Sequence, residues 1–169
     1  MSDSKCNYIY TILISAWTGP FSTENSGNYQ SALFKTITDG DTAVIFTVRA
    51  SNDVHVGYFS ELKTYHNGGG LYEIVIGGWR VGSPPLGTKS IINRMGSGVS
   101  PLTDTLDILN PNEDRPFWVD AKDGLVRLGK GNTIGNDIIV QWQDPSPLDP
   151  VYIGFMTQSG STGIWSYQD

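Results

Sequence analysis

The dipeptide Asp123-Gly124 stands between two runs of alternating character, Phe117-Trp118-Val119-Asp120-Ala121-Lys122 and Leu125-Val126-Arg127-Leu128. A two-residue hairpin turn needs positive φ at both central positions, and Asp-Gly is a favoured pair for it. The turn length then sets the register: Lys122 faces Leu125, Ala121 faces Val126, and Asp120 faces Arg127. An opposite-charge pair on the polar face is what that register predicts, worth about 0.2–1 kcal/mol. A chain that commits to this hairpin commits to an antiparallel sheet.

The rest of the sequence repeats the pattern in shorter pieces. Val44, Phe46 and Val48 share one face of the run from Thr42 to Ala50, and Val54, Val56 and Tyr58 share one face of the next. Tyr72, Ile74 and Ile76 alternate with Glu73 and Val75 before Gly77-Gly78-Trp79. Further strands are expected over Tyr8 to Trp17, Ser31 to Thr38, Ser90 to Arg94, Asp137 to Trp142, Val151 to Met156 and Gly163 to Tyr167. Residues 18 to 31 read as a polar loop, and Asn67-Gly68 as a hairpin connection. Glycine (20) and proline (9) are plentiful, charged residues are 17%, and no long amphipathic helical pattern occurs. About ten short strands separated by turns predict an all-β class, an antiparallel β-sandwich built as a single domain over residues 1–169.

Composition excludes several functions. A net charge of -6 without any basic run argues against nucleic acid and against anionic membrane surfaces. The apolar run at Tyr8 to Trp17 is too short for a membrane span, so no membrane insertion is expected. It also lacks a signal peptide's positive flank and cleavage site, so a cytoplasmic location is expected, with unconventional release as the route out. Cys6 has no partner for an intrachain disulfide. Cys6, His55 and His66 together cannot make a three- or four-ligand His/Cys metal site. No Gly-x-Ser-x-Gly elbow exists. The run Gly129-Lys130-Gly131-Asn132-Thr133-Ile134-Gly135 misses the nucleotide-loop spacing by one residue and leads into a strand, where a phosphate site wants a helix. Acid pairs such as Glu73 with Asp53 or Asp120 are no more than any sandwich with 17 acids offers.

Among the tryptophans (Trp17, Trp79, Trp118, Trp142, Trp165), Trp79 stands apart. It ends a strand after two glycines and precedes Arg80 and a Gly/Ser/Pro loop. An aromatic platform beside Asp, Asn, Arg and His side chains is the chemistry of a shallow sugar site. Core packing is the competing role for all five.

Six separated blocks, in order, resemble one domain family: Phe46-Thr-Val-Arg-Ala-Ser-Asn-Asp-Val-His-Val, Tyr-Glu-Ile-Val-Ile-Gly-Gly-Trp, Pro-Phe-Trp-Val, Gly-Leu-Val-Arg-Leu-Gly-Lys-Gly, Gln-Trp-Gln-Asp and Tyr-Ile-Gly-Phe. It is the domain named after farnesoic acid O-methyltransferase, and the resemblance covers about residues 42 to 167. Residues 1–41, the N-terminal strands and loop, lie outside it. The name implies methyl transfer, but the sequence has no doubly wound α/β pattern and no glycine loop entering a helix. The domain is also similar to the slime-mould haemagglutinins, which implies a jelly-roll or legume-lectin-like sandwich and glycan binding. After Gly-Gly-Trp this chain departs from the family pattern, because Arg80-Val-Gly-Ser-Pro-Pro-Leu-Gly-Thr-Lys intervenes before Ser90-Ile-Ile-Asn-Arg.

The expectation is therefore a non-catalytic carbohydrate-binding protein, a lectin or haemagglutinin, with glycans or glycoproteins as partners. The candidate ligand-binding residues are Asp53, His55, Glu73, Trp79, Arg80, Asn93 and Arg94. Asp and Asn would take sugar hydroxyls, Arg would donate, and Trp79 would stack. Glu73 would face outward and pair with Arg94 or Arg49, or accept from a ligand. A homo-oligomer would supply avidity. No cofactor is expected. A structural calcium ion among Asp side chains is compatible, although no ordered Asp-x-Asp loop demands it. The alternative is an interaction module for protein or for an apolar ligand held in a cavity between the sheets.

Overall fold

The computed structural model describes residues 16–29, 35–38, 40–61, 70–79, 88–95 and 98–168. Among these residues lie thirteen strands and no helix. One sheet runs in the order β1 (Trp17–Thr23), β13 (Gly163–Gln168), β3 (Val44–Ala50), β9 (Arg115–Lys122), β10 (Leu125–Lys130), β11 (Ile138–Gln143). The other runs β2 (Lys35–Thr36), β12 (Tyr152–Thr157), β4 (Val54–Phe59), β5 (Leu71–Trp79), β6 (Lys89–Arg94), β7 (Gly98–Val99), with β8 (Thr103–Asp104) also on β6. Every pairing in both sheets is antiparallel. The fold is an antiparallel β-sandwich.

The period-2 pattern does what it promises. Val44, Phe46 and Val48 of β3 meet Val54, Val56 and Tyr58 of β4 and Tyr72, Ile74 and Ile76 of β5 in one buried cluster. Phe46 is its hub, with ring centroids 5.8 Å from Phe117, 5.7 Å from Phe155 and 5.8 Å from Trp165. Aromatic pairs at this spacing add about 0.5–1.5 kcal/mol each beyond the area they bury. These rings fill the space between the sheets. The indole of Trp165 donates to Thr23 Oγ1 at 2.8 Å, so its polar atom is satisfied as its body is buried.

The Asp-Gly hairpin forms with the expected pairing: Leu125 opposite Lys122, Val126 opposite Ala121 and Arg127 opposite Asp120. Asp123 and Gly124 take φ of 52° and 77°. Arg127 and Asp120 form the expected ion pair.

One stretch differs from expectation. Residues 18 to 31 read as a polar loop, yet β1 continues through Gly19-Pro20 to Thr23 and pairs with β13. Phe21 explains it, because its ring lies 6.0 Å from both Phe155 and Tyr167 and anchors the strand to the core. A register shift between Thr18 and Phe21 absorbs the Gly-Pro. The run over Tyr8 to Trp17 lies outside the described residues apart from its last two positions, as do Cys6, the Asn67-Gly68 turn and His66.

Candidate functional site

Because Tyr72, Ile74 and Ile76 point into the core, Glu73 and Val75 must face away from it. The same alternation turns His55 and Phe59 of β4 outward. Glu73 lies opposite Gly57 on one side and Asn93 on the other, while His55 lies opposite Val75 and Met156. An outward acid and an outward histidine on neighbouring strands would ordinarily be wet. Both are buried instead, Glu73 3% and His55 4% exposed.

Tyr29 is part of the cover. Gly57 and Gly154 sit side by side across β4 and β12, leaving a hollow on the outer face. A Cβ on Gly57 would lie 2.8 Å from Tyr29 Cε1 and 2.6 Å from Phe59 Cε2, so only glycine lets the tyrosine ring down. Tyr29 packs edge-on against Phe59, with centroids 4.8 Å apart, in a small second core with Leu71 and Met156. Its hydroxyl donates to Glu73 Oε1 at 3.2 Å.

His55 completes the cluster. Its Nδ1 lies 3.1 Å from Glu73 Oε1 and its Nε2 3.0 Å from Asp53 Oδ1. Only the imidazolium can donate from both nitrogens. Burial opposes that charge, but hydrogen bonds to Asp53 and Glu73, and their charges, raise the ring's pKa to about 9. Burial likewise opposes ionisation of Asp53, yet His55 and a hydrogen bond from Ser159 hold its carboxyl below the usual range. Burial first, then Glu73, pushes the Tyr29 phenol well above its ordinary value, so it stays a donor.

The two glycines of β5 belong to this arrangement. Asp53 takes φ of 53° in the turn before β4, and its N–H donates to Gly77 O at 3.0 Å. A Cβ on Gly78 would run into Asp53 Oδ1. Gly77, at φ 56°, carries the strand through a register shift between Val75 and Trp79. The glycines make room for the Asp53 carboxylate.

Of the seven candidate residues, Asp53, His55 and Glu73 thus come together, but in a closed and mutually satisfied cluster. Asn93 sits beside Glu73 and turns its amide to Met95 Sδ at 3.0 Å. Arg94, one residue on, points the opposite way and ties the sheets together. Its guanidinium lies 2.8 Å from Asp144 Oδ2 and donates to Ser146 O at 2.6 Å, and Tyr72 Oη donates to the same carboxylate. Glu73 therefore does not pair with Arg94 or Arg49: Arg94 lies on the inner face of its strand, and Arg49 belongs to the other sheet, bound to Asp114 at 3.0 Å. Trp79 closes β5 opposite Lys89. Its side chain and all of Arg80 lie outside the described residues. Among the described residues no group of three or more His, Cys, Asp or Glu side chains is placed to hold a metal ion.

A concavity that the sequence reading missed opens at the turn end of the β9–β10 hairpin. It measures about 510 Å³, and its walls include Lys122, Asp123, Pro147, Leu148 and Asp149. A neighbouring hollow of about 360 Å³ adds Asp41 and Asp120 and shares Thr42 and Lys122. Its floor is braced: Thr42 Oγ1 donates to Asp120 Oδ1 at 2.5 Å, and Tyr58 Oη donates to Thr42 O at 2.6 Å. By sequence the proline-rich segment Asp144 to Pro150 reads as a loop, and Gly40-Asp41 as part of a turn. Nothing local says that they meet.

A family model described as farnesoic acid O-methyltransferase matches residues 20–169. The chain belongs to that family. The match takes in the second half of β1 and all of β2, and so begins earlier than the expected residue 42. No curated protein matches the chain in sequence. Among solved structures, a Bacillus subtilis protein of unknown function with a galectin-like fold is 12% identical over 80% of this chain and 74% of its own, with a TM-score of 0.53. A β-1,3-1,4-glucanase (lichenase) derived from a mouse hindgut metagenome is 11% identical over 90% of this chain and 92% of its own, at a TM-score of 0.48. A Bacillus licheniformis β-glucanase is 10% identical over 89% and 98%, at 0.47. Among the described residues no helix is long and apolar enough to cross a membrane.

Proposed function

We propose that this family member is a non-catalytic carbohydrate-binding sandwich, with the glycan seated in the open cleft at the hairpin end. The cleft carries the reading. Lys122 can donate to sugar hydroxyls, Asp123 and Asp149 can accept from them, and Pro147 and Leu148 offer apolar surface to the sugar's C–H faces. The enzyme reading has less support. Asp53 and Glu73, the acids named for hydrolysis, are both buried and each holds His55 through one carboxylate oxygen, which is the setting of a structural cluster and not of an open acid and nucleophile. Methyl transfer finds no strand-loop-helix unit among the described residues, all of whose regular elements are strands. Asp53, His55, Glu73 and Arg94 then act as supports, while Asn93 on β6, Trp79 at the end of β5 and Arg80 are the remaining candidate contacts. One shallow site binds weakly, so self-association would supply avidity in cross-linking glycoproteins.

The test is a broad glycan array probed with the folded chain, with and without chelator, beside Lys122→Ala, Asp149→Ala and Trp79→Ala. Selective signal that falls with the first two supports the cleft. Loss only with Trp79→Ala moves the contact to the end of β5. A blank array from folded protein overturns the carbohydrate reading.

A further inference from the structure

At the other end of β9 from that cleft, a smaller hollow of about 150 Å³ is lined by Ile108, Arg115, Pro116, Phe117, Lys130 and Gly131. Two cations flank it, in a chain whose net charge is -6. Arg115 is only partly engaged. One terminal nitrogen meets Glu113 Oε2 at 3.0 Å, but its Nε is buried and has no hydrogen-bond partner. The side chain as a whole is 36% exposed, so its guanidinium can still take an acceptor from solution beside Glu113. Lys130 makes no ion pair among the described residues.

Lys130 also lines a second, more open depression of about 420 Å³, whose walls include Leu106, Ile138 and Ile139. Leu106 is 66% exposed and Ile138 43%. Asp104 on that side is engaged by Lys89, while Asp137, whose backbone carbonyl accepts from the Lys130 N–H at 3.1 Å, adds one negative charge beside Lys130. Arg115 and Lys130 outnumber Asp137, so the hollow between them is the positive part of this trough, and Leu106 and Ile138 lie beyond Lys130.

We propose that this trough is a second ligand site, one that takes a small amphipathic carboxylate. The carboxylate sits between Arg115 and Lys130, and the apolar body lies over Ile108, Leu106 and Ile138. A carboxylate gives the Arg115 guanidinium a second acceptor and Lys130 a counter-charge, and an alkyl chain covers Leu106 and Ile138, which are exposed among the described residues. Glu113 competes for the same guanidinium, but it is well exposed and can swing into water.

Calorimetric titration of the full chain with acetate, hexanoate and decanoate, and with decanol as the uncharged control, tests this below micelle-forming concentrations. Affinity is expected to rise along the acid series and to be about tenfold weaker for decanol. Lys130→Gln, at the exposed end of β10, should fold normally and weaken decanoate several-fold. Arg115→Gln should weaken it at least as much, and Leu106→Ser should flatten the dependence on chain length. Absence of decanoate binding, equal binding of decanol, or binding unchanged by Lys130→Gln overturns the proposal. Glycan-array results do not bear on it, because the two sites share no residue.

Discussion

Glu73 and Asp120 start from the same local grammar, an acid on the outward phase of a strand in the middle of a sheet, and end differently. Asp120 pairs with its cross-strand neighbour Arg127, whose side chain remains a quarter exposed and rests 5.6 Å from the Trp118 ring. Glu73 is roofed by Tyr29 and locked to a charged histidine with Asp53 on its far side. The difference is the cover. A pair that keeps one partner in water loses little when broken, because the survivor rehydrates. A closed cluster strands whatever is left.

Breaking the closed cluster should have the largest effect. Glu73→Ala leaves the imidazolium half paired and the Tyr29 hydroxyl without its acceptor, and about 3–5 kcal/mol of stability should be lost in urea denaturation. Raising pH tests the same cluster without mutation. Folded His55 keeps its proton up to about pH 9, whereas the unfolded ring releases it near 6.5. The folded state binds the extra proton between those values, so the cluster's contribution is complete below about 6.5 and is lost as pH climbs to 9. The urea midpoint should fall across that window, and His55→Gln should remove the slope. On the acid side the direction reverses: Asp53, held low, contributes above its unfolded range, and its share is lost as pH drops through its folded value.

Smaller effects sharpen the comparison. Gly57→Ala puts a methyl against Tyr29 and Phe59 and should cost about 1–3 kcal/mol, with a change in near-UV circular dichroism from the displaced tyrosine. Asp120→Ala should cost about 1–2 kcal/mol, less than Glu73→Ala, because Arg127 reaches solvent. If the two acid substitutions cost the same, burial is not what separates the sites. Arg49→Ala, which opens a solvent-exposed pair with Asp114, should leave the denaturation midpoint where it was.

What could be read from the chain was what is local. The hairpin register follows from two residues, and the outward phase of Glu73 and His55 follows from the alternation around them. Proximity across β4 and β5 was within reach too, since both residues are in phase. The roof was not, because Tyr29 lies 44 positions from Glu73 in a stretch that reads as polar. The same limit hid the cleft, whose walls come from three separate loops. Arg94 was misjudged for a subtler reason: it follows Asn93 directly, so the two cannot share a face, and the candidate set mixed both phases of β6.

The position of β13 between β1 and β3 has a consequence for how the protein is made. The last of the described strands is the seam that joins the first of them to the rest of its sheet. As the chain leaves the ribosome, β1 has no hydrogen-bonded neighbour among the described strands until β13 has emerged, and Phe21 has no Tyr167 to rest on. Order of synthesis and order of assembly are therefore uncoupled here. Closure waits for a contact spanning almost the whole described chain, the kind of long-range pairing that slows folding.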